Sequence, residues 1–198
     1  TKAVADDIVE CCRHVVDLED RFIDLAFEAG DVADDYYTDG KTARLAVQTL
    51  AELKKKGQPF FLAVGLSKPH LPFVSPKKYW DLYDPAKIPN TASAFPVGTP
   101  HFVGDGDSGE FRSYANVPPK GAKGGLTPLP EAFATQARHG YYAAVSYTDA
   151  NVGLLLDALE KEGLAEQTVI VLWGDHGWQL GEHGLWHKHT NFEVAANA

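Results

Sequence analysis

Thr168-Val169-Ile170-Val171-Leu172-Trp173 runs into Gly174-Asp175-His176-Gly177-Trp178 and then Gln179-Leu-Gly-Glu-His-Gly-Leu-Trp-His-Lys188. The first six residues are β-branched or apolar without a break, which predicts a strand covered on both faces, as in a parallel sheet. The run stops at a glycine, and ligand sites of open α/β sheets gather just beyond the carboxyl ends of such strands. Asp175 and His176 therefore stand where such a fold does its chemistry. Glycines at 174, 177, 181 and 184 argue against a helix here, since each costs about 1 kcal/mol in one. They fit a backbone folded tightly around something. The tetrapeptide alone also fits a plain turn, with Asp175 capping it and glycine supplying positive φ. The glycine-spaced tail carrying His183, Trp186, His187 and Lys188 is what favours a site.

A similar helix-then-strand unit lies upstream. Ala43, Ala46, Val47, Leu50 and Leu53 form one apolar stripe, which predicts a helix over Thr42–Lys56 closed by three lysines and stopped by Gly57. Thr38 or Asp39 is placed to cap it. Pro59-Phe-Phe-Leu-Ala-Val-Gly65-Leu66 then reads as a second buried strand. It ends in Ser67-Lys68-Pro69-His70-Leu71-Pro72-Phe73, where two prolines restrict the backbone around His70. A lone histidine near an apolar segment is commonly a satisfied core or surface residue. The rigid loop beyond a strand, with Lys68 beside it, favours a functional role for His70.

Ala137, Tyr141, Ala144, Val145, Thr148, Val152, Leu155, Leu156 and Leu159 follow helical spacing and predict a long helix from Glu131 to Gly163 that feeds the Thr168 run, with Asp149 on its solvent edge. Two helix-then-strand units predict an α/β fold, a three-layer sandwich with a mainly parallel sheet, incomplete. The 198 residues read as one partial domain with a long Pro/Gly-rich insertion at about 75–130. Within it only a short helix near Lys77–Leu82 is expected. Phe95, Phe102, Phe111 and Tyr114 would hold the insertion on the domain surface, where it could shape a substrate pocket. Loosely helical spacing also predicts helices over Val4–Val16 and Arg21–Ala29.

Composition narrows the partners. A hydrophobic fraction of 44% and a charged fraction of 23% are ordinary for a soluble globular protein. No apolar run reaches the roughly 18 residues a membrane span needs. The net charge of −9 argues against nucleic acid, whose phosphates call for a basic face. The adjacent Cys11 and Cys12 match no zinc or redox spacing and are expected as free thiols. The chain contains no methionine, and Thr1-Lys-Ala-Val-Ala-Asp-Asp-Ile shows no signal-peptide core, so it reads as an internal piece of something longer.

Lys68, His70, Asp175, His176, His183, His187 and Lys188 together suit an anionic tetrahedral group. Lysine supplies point-charge donors to its oxygens, and histidine can hold or hand over a proton near neutral pH. Asp175 is the natural anchor for a hard divalent cation, joined by His176 or by ligands outside this chain. His183-x3-His187 has zincin spacing, but Gly184 stands where that pattern needs glutamate on a helix, so zinc is the weaker candidate.

The stretch Gly174-Asp175-His176-Gly177-Trp178-x-Leu180-Gly181-Glu182-His183-Gly184-x-Trp186-x-Lys188-x-x-Asn191-Phe192 resembles the second half of the catalytic site in sulfatases, most closely the iduronate-2-sulfatase-like branch. Pro59–Gly65 with Lys68-Pro69-His70-Leu71-Pro72-Phe73, and Tyr141–Leu156 with Ser-Tyr-x-Asp149, resemble that branch too. The likeness runs from about Asp39 to the end. It implies the alkaline-phosphatase-like α/β fold and hydrolysis of sulfate esters, those of sulfated saccharides in particular, by a formylglycine nucleophile beside a bound Ca²⁺. It implies Asp175 and His176 as calcium ligands, His70 as the group that binds the sulfate or protonates the leaving group, and Lys188 as the holder of a sulfate oxygen. Lys68, His183 and Trp186 would lie at the substrate pocket or just behind it. The expected compartment is periplasmic, extracellular or lysosomal.

One part of the family pattern is missing. The nucleophile motif Cys-x-Pro/Ser-x-Arg occurs nowhere, because Cys11-Cys12-Arg13-His14-Val15-Val16 puts the wrong residues after either cysteine. Asp6-Asp7 and Asp34-Asp35 lie too close to the Pro59 run to be the acidic pair that opens the family's metal site. The resemblance therefore implies half a site and no sulfatase activity from the 198 residues alone. Two rivals remain: a phosphate or phosphonate ester hydrolase of the same superfold, with a Thr or Ser nucleophile, and a catalytically dead relative that binds sulfated glycans.

Overall fold

The structure, a computed structural model, describes residues 24–91, 94–100, 109–119 and 129–196. In chain order the elements are β1 (Phe27–Gly30), α1 (Thr38–Lys56), β2 (Phe73–Pro76), α2 (Lys77–Trp80), α3 (Gly109–Arg112), α4 (Glu131–Lys161) and α5 (Glu193–Ala196), with 3-10 turns at Pro85–Lys87, Ala165–Gln167 and Glu182–Gly184. β1 and β2 pair in parallel, Phe27 opposite Phe73 through Gly30 opposite Pro76. Every residue of β2 is buried, and the 31-residue α4 packs on both β2 and α1. The fold class is as expected: α/β, with a parallel sheet under helices.

α1 begins four residues before the predicted start. Tyr37 is its N-cap and makes no side-chain cap bond, so neither Thr38 nor Asp39 caps it. Asp39 is instead buried in the first turn and committed to the loop before His70. Gly40 lies where the chain passes the Asp34 carbonyl and the Tyr147 hydroxyl, and a Cβ there would collide with both. The long helix matches its prediction, ending at Lys161 with Gly163 at φ 65°. The short insertion helix is realised as α2.

The two buried strands are corrected. Neither Pro59–Leu66 nor Thr168–Trp173 forms a ladder with any described residue. In the first, burial alternates: Phe60 and Leu62 pack on Leu50, Ala158 and Leu159, while Phe61 is 65% exposed. This is the side-chain pattern of a strand lying on its helices with its other face uncovered. In the second, Val169, Ile170, Val171, Leu172 and Trp173 are all exposed. An apolar run is covered on both faces only where neighbouring strands and a second helix layer exist, and the described residues supply neither.

The ladder went elsewhere, and one helix is corrected with it. Phe27–Gly30 overlaps the expected Arg21–Ala29 helix yet is strand, because pairing with the buried β2 outweighs a weak local helical pattern. Val4–Val16, the two cysteines and Phe102 lie outside the described residues. No described helix is long and apolar enough to cross a membrane.

The core has three parts. Phe73, Phe111, Trp178, Trp186, Leu71 and Ala137 form the part beneath the candidate site. Tyr37, Val74, Trp80 and Tyr147 fill the space between the sheet and α4. Leu50, Ala158 and Leu159 join the two long helices.

Candidate functional site

His70 sits on the loop between the Pro59 run and β2, and its placement is set at both ends. Upstream, the buried Asp39 carboxylate (3% exposed) accepts three hydrogen bonds: from the Ser67 amide at 3.0 Å, the Ser67 hydroxyl at 2.9 Å and the Lys68 amide at 2.8 Å. Thr148 of α4 donates to the Lys68 carbonyl at 3.0 Å. Downstream, Phe73 is fully buried, edge-on to Trp178 at 6.1 Å and to Tyr141 at 5.4 Å. The peptide bonds Lys68-Pro69 and Leu71-Pro72 are both cis.

The His70 Nδ1 lies 2.9 Å from the Leu71 carbonyl. A carbonyl only accepts, so this contact makes Nδ1 the protonated nitrogen and leaves Nε2 for chemistry. Lys188 Nζ stands 2.8 Å from that Nε2. A chain reversal explains how residues 118 positions apart meet. The Gln179 amide donates to His187 O at 3.2 Å and the Gly181 amide to Leu185 O at 2.9 Å, which folds the tail back on itself. Gly181 and Gly184 have φ of 110° and 74°, backbone that glycine adopts without strain. Arg138 of α4, 2% exposed, pins the reversal by donating to the Leu180 carbonyl at 3.5 Å and to Asn90 and Glu131 at 3.1 and 2.7 Å. Trp178 is the shared wall: its ring lies 6.3 Å from the His70 ring and 5.9 Å from Lys188 Nζ.

A third charge completes the cluster. Glu110 of α3 places Oε1 3.2 Å from His70 Nε2 and Oε2 3.9 Å from Lys188 Nζ. Its backbone is anchored by the next residue, since Phe111 is fully buried and stacked on Trp186 at 5.3 Å and 8°. Burial lifts the Tyr114 phenol above its ordinary range, and the nearby Glu110 charge adds to that.

The sequence-predicted residues fall into three groups. His70 and Lys188 meet, and Lys68 joins them through its own loop, with Nζ 3.2 Å from the His70 carbonyl. Asp175 and His176 pair with each other: the His176 amide donates to Asp175 Oδ1 at 3.0 Å, and His176 Nε2 lies 3.5 Å from Oδ2. The Asp175 side chain is 85% exposed. His183 and Trp186 are engaged elsewhere. His183 packs between Phe95 at 5.5 Å and Phe192 at 4.2 Å, with Nδ1 2.9 Å from the Ala94 carbonyl. Trp186 is in the core under α3.

Asp39, Glu110 and Trp178 were not marked as site residues by sequence. Trp178 lay inside the quoted motif, and Asp39 showed only as a candidate cap. Nothing in the letters singled out Glu110 within a segment poor in regular structure.

A cleft of about 1680 Å³ has Ser67 and Lys68 on its wall. Asp24, Glu28, Asp35 and Asp39 on its walls outnumber Lys41 and Lys68, so its field repels an anion. Among the described residues no group of three or more His, Cys, Asp or Glu side chains is gathered as a cation would need.

The sulfatase family model matches residues 11–197. The chain belongs to the sulfatase family. It is 39% identical over 168 residues to iduronate 2-sulfatase of Homo sapiens, covering 84% of this chain and 30% of that protein. It is 31% identical over 166 residues to choline-sulfatase of Rhizobium meliloti, covering 80% and 30%. This sulfatase-family chain thus spans about a third of the length of such relatives. The phosphonate monoester hydrolase of Silicibacter pomeroyi superposes with a TM-score of 0.61 at 23% identity, over 94% of this chain and 38% of that one. That likeness supports the alkaline-phosphatase-type fold.

Proposed function

We propose that these residues form the anion-binding, leaving-group side of a sulfatase active centre, completed by a nucleophile from outside the 198 residues. The observation that carries this is the contact of Lys188 Nζ with His70 Nε2 across 118 positions, built from the two motifs that resemble the family. Lys188 holds a sulfate oxygen by charge. His70, its Nδ1 already committed, uses Nε2 alone to hold the ester or to give the leaving oxygen its proton, as general acids do. Trp178 excludes water from one side of the pair and fixes the distance between its members. Lys68 steadies the loop through the His70 carbonyl and adds positive charge.

Asp175 and His176 fit as two neighbouring ligands of a calcium ion, since ligands about 2.3–2.6 Å from one cation stand roughly 3.5 Å apart. The remaining ligands of a set of about six to eight oxygens would come from beyond the described residues. Bound there, the cation would polarise an ester oxygen. The expected nucleophile is a formylglycine, the substrate a sulfated saccharide or another sulfate ester, and the compartment periplasmic, extracellular or lysosomal. His183 and Trp186 then act from behind the pocket, by fixing residues 94–95 and the Glu110 helix.

The test is turnover by the protein encoded by the open reading frame that contains this chain. 4-Nitrophenyl sulfate, 4-nitrophenyl phosphate and a phenylphosphonate monoester are compared at equal concentration. Preference for the sulfate by tenfold or more in kcat/KM is expected. Preference for either phosphorus ester would move the chain's role to the rival hydrolase, and turnover of none would leave glycan binding.

A further inference from the structure

We propose that Glu110 is a built-in competitor for the anion site: its carboxylate stands where the substrate anion would meet His70 and Lys188, and it must swing away for an ester to enter. The inference rests on the anion-site reading above and deepens it by naming the residue that an incoming anion must displace.

The geometry leaves one position and one occupant. His70 Nδ1 is spent on the Leu71 carbonyl, so Nε2 is the single nitrogen that can address an anion or a leaving oxygen. That nitrogen faces both Lys188 Nζ at 2.8 Å and Glu110 Oε1 at 3.2 Å. With a neutral ring, Nε2 accepts from Lys188, and Glu110 leans on the same ammonium through Oε2 at 3.9 Å. With a protonated ring, the Nε2 proton goes to Glu110. In either state Glu110 supplies the negative charge that Lys188, and the ring when protonated, attracts. A sulfate ester needs the same nitrogen and the same ammonium, so it and Glu110 exclude one another. No covalent bond changes in this exchange.

The contact is held by the fold. Phe111, locked under Trp186, fixes the α3 backbone, and Arg112 Nη1 donates to the Pro118 carbonyl at 2.7 Å. The Glu110 side chain itself is 41% exposed and can turn into water while its backbone stays in place. Small anions that offer only charge meet this competitor at full strength. An ester meets the same penalty and offsets it with further contacts in the pocket, so Glu110 keeps weakly held inorganic anions from occupying the site without changing the ratio of the two affinities.

The experiment is a titration of the full 198-residue chain with sodium sulfate at constant ionic strength. Heat is read by calorimetry, and the site is located by the His70 imidazole resonances. Glu110→Gln and Glu110→Ala are compared with wild type, and Lys188→Ala serves as the locating control. Both Glu110 variants are expected to bind sulfate about fivefold more tightly, the equilibrium equivalent of one partly exposed ion pair. If wild type and both variants bind sulfate at His70 with equal affinity, the competitor idea fails and the anion site stands. If none binds sulfate at His70, the anion-site reading and the inference fall together.

Discussion

Replacing Asp39 with alanine should cost about 3 kcal/mol of folding stability. Its carboxylate accepts three hydrogen bonds from Ser67 and Lys68, and a bond to a charged acceptor is worth about 1.5–3 kcal/mol. The gross sum is therefore roughly 5–9 kcal/mol. Ser67 is exposed, so water recovers much of that sum for its amide and hydroxyl, while the Lys68 amide recovers less. About 3 kcal/mol is what remains, a large part of the 5–15 kcal/mol typical of a domain. Asp39→Asn keeps one acceptor oxygen and points an amide at a donor, for about 2 kcal/mol. Urea denaturation followed by circular dichroism gives the stability, and hydrogen exchange at the Ser67 and Lys68 amides shows where it was lost. A double-mutant cycle with Ser67→Ala should return a coupling of about 1 kcal/mol. If Asp39→Ala unfolds within about 0.5 kcal/mol of wild type, the loop that carries His70 is held by something else.

Further outcomes follow from the same structure. Phe111→Ala should cost about 3–5 kcal/mol through the cavity under Trp186; a urea midpoint unchanged from wild type would contradict its place in the core. The Tyr147 phenol is pushed up to about 12, chiefly by burial, against an ordinary value near 10. The folded state keeps that proton while the unfolded state loses it, so the contribution is whole below pH 10 and is lost as pH rises towards 12. It amounts to something on the order of 2 kcal/mol. Urea midpoints at pH 9 and 12 should therefore fall less for Tyr147→Phe than for wild type, and parallel falls would refute the assignment. The exposed Val169–Trp173 run should make the 198-residue chain self-associate, since unpaired apolar strand segments recruit partners. Light scattering should drop for Val169→Lys with Val171→Lys, and unchanged scattering would show that another surface is responsible.

Much of this was legible in the letters because the signals were local. The stripe from Ala43 to Leu53 and the spacing from Ala137 to Leu159 each gave a helix, since apolar side chains three and four apart bury together whatever else the chain does. The apolar runs at 59–66 and 168–173 marked segments built to be covered, but sequence cannot state whether the covering strands are at hand. The β1–β2 ladder escaped because four-residue strands carry almost no periodicity and depend on a partner 46 positions away. The candidate site was half legible. Residue type and resemblance singled out His70 and Lys188, which the fold brings into contact, whereas Asp39 and Glu110 make contacts 28 and 40 positions away in the chain. No spacing rule connects such residues.

The most direct test of the central claim compares kcat/KM for a sulfate ester in His70→Ala, Lys188→Ala and His183→Ala, made in the protein that the open reading frame encodes. His70→Ala and Lys188→Ala should each lose about 10²–10³-fold, the scale of a lost proton donor or charge stabiliser. His183→Ala, held among Phe95 and Phe192, should stay within about threefold of wild type. Wild-type turnover by either His70→Ala or Lys188→Ala would contradict the account.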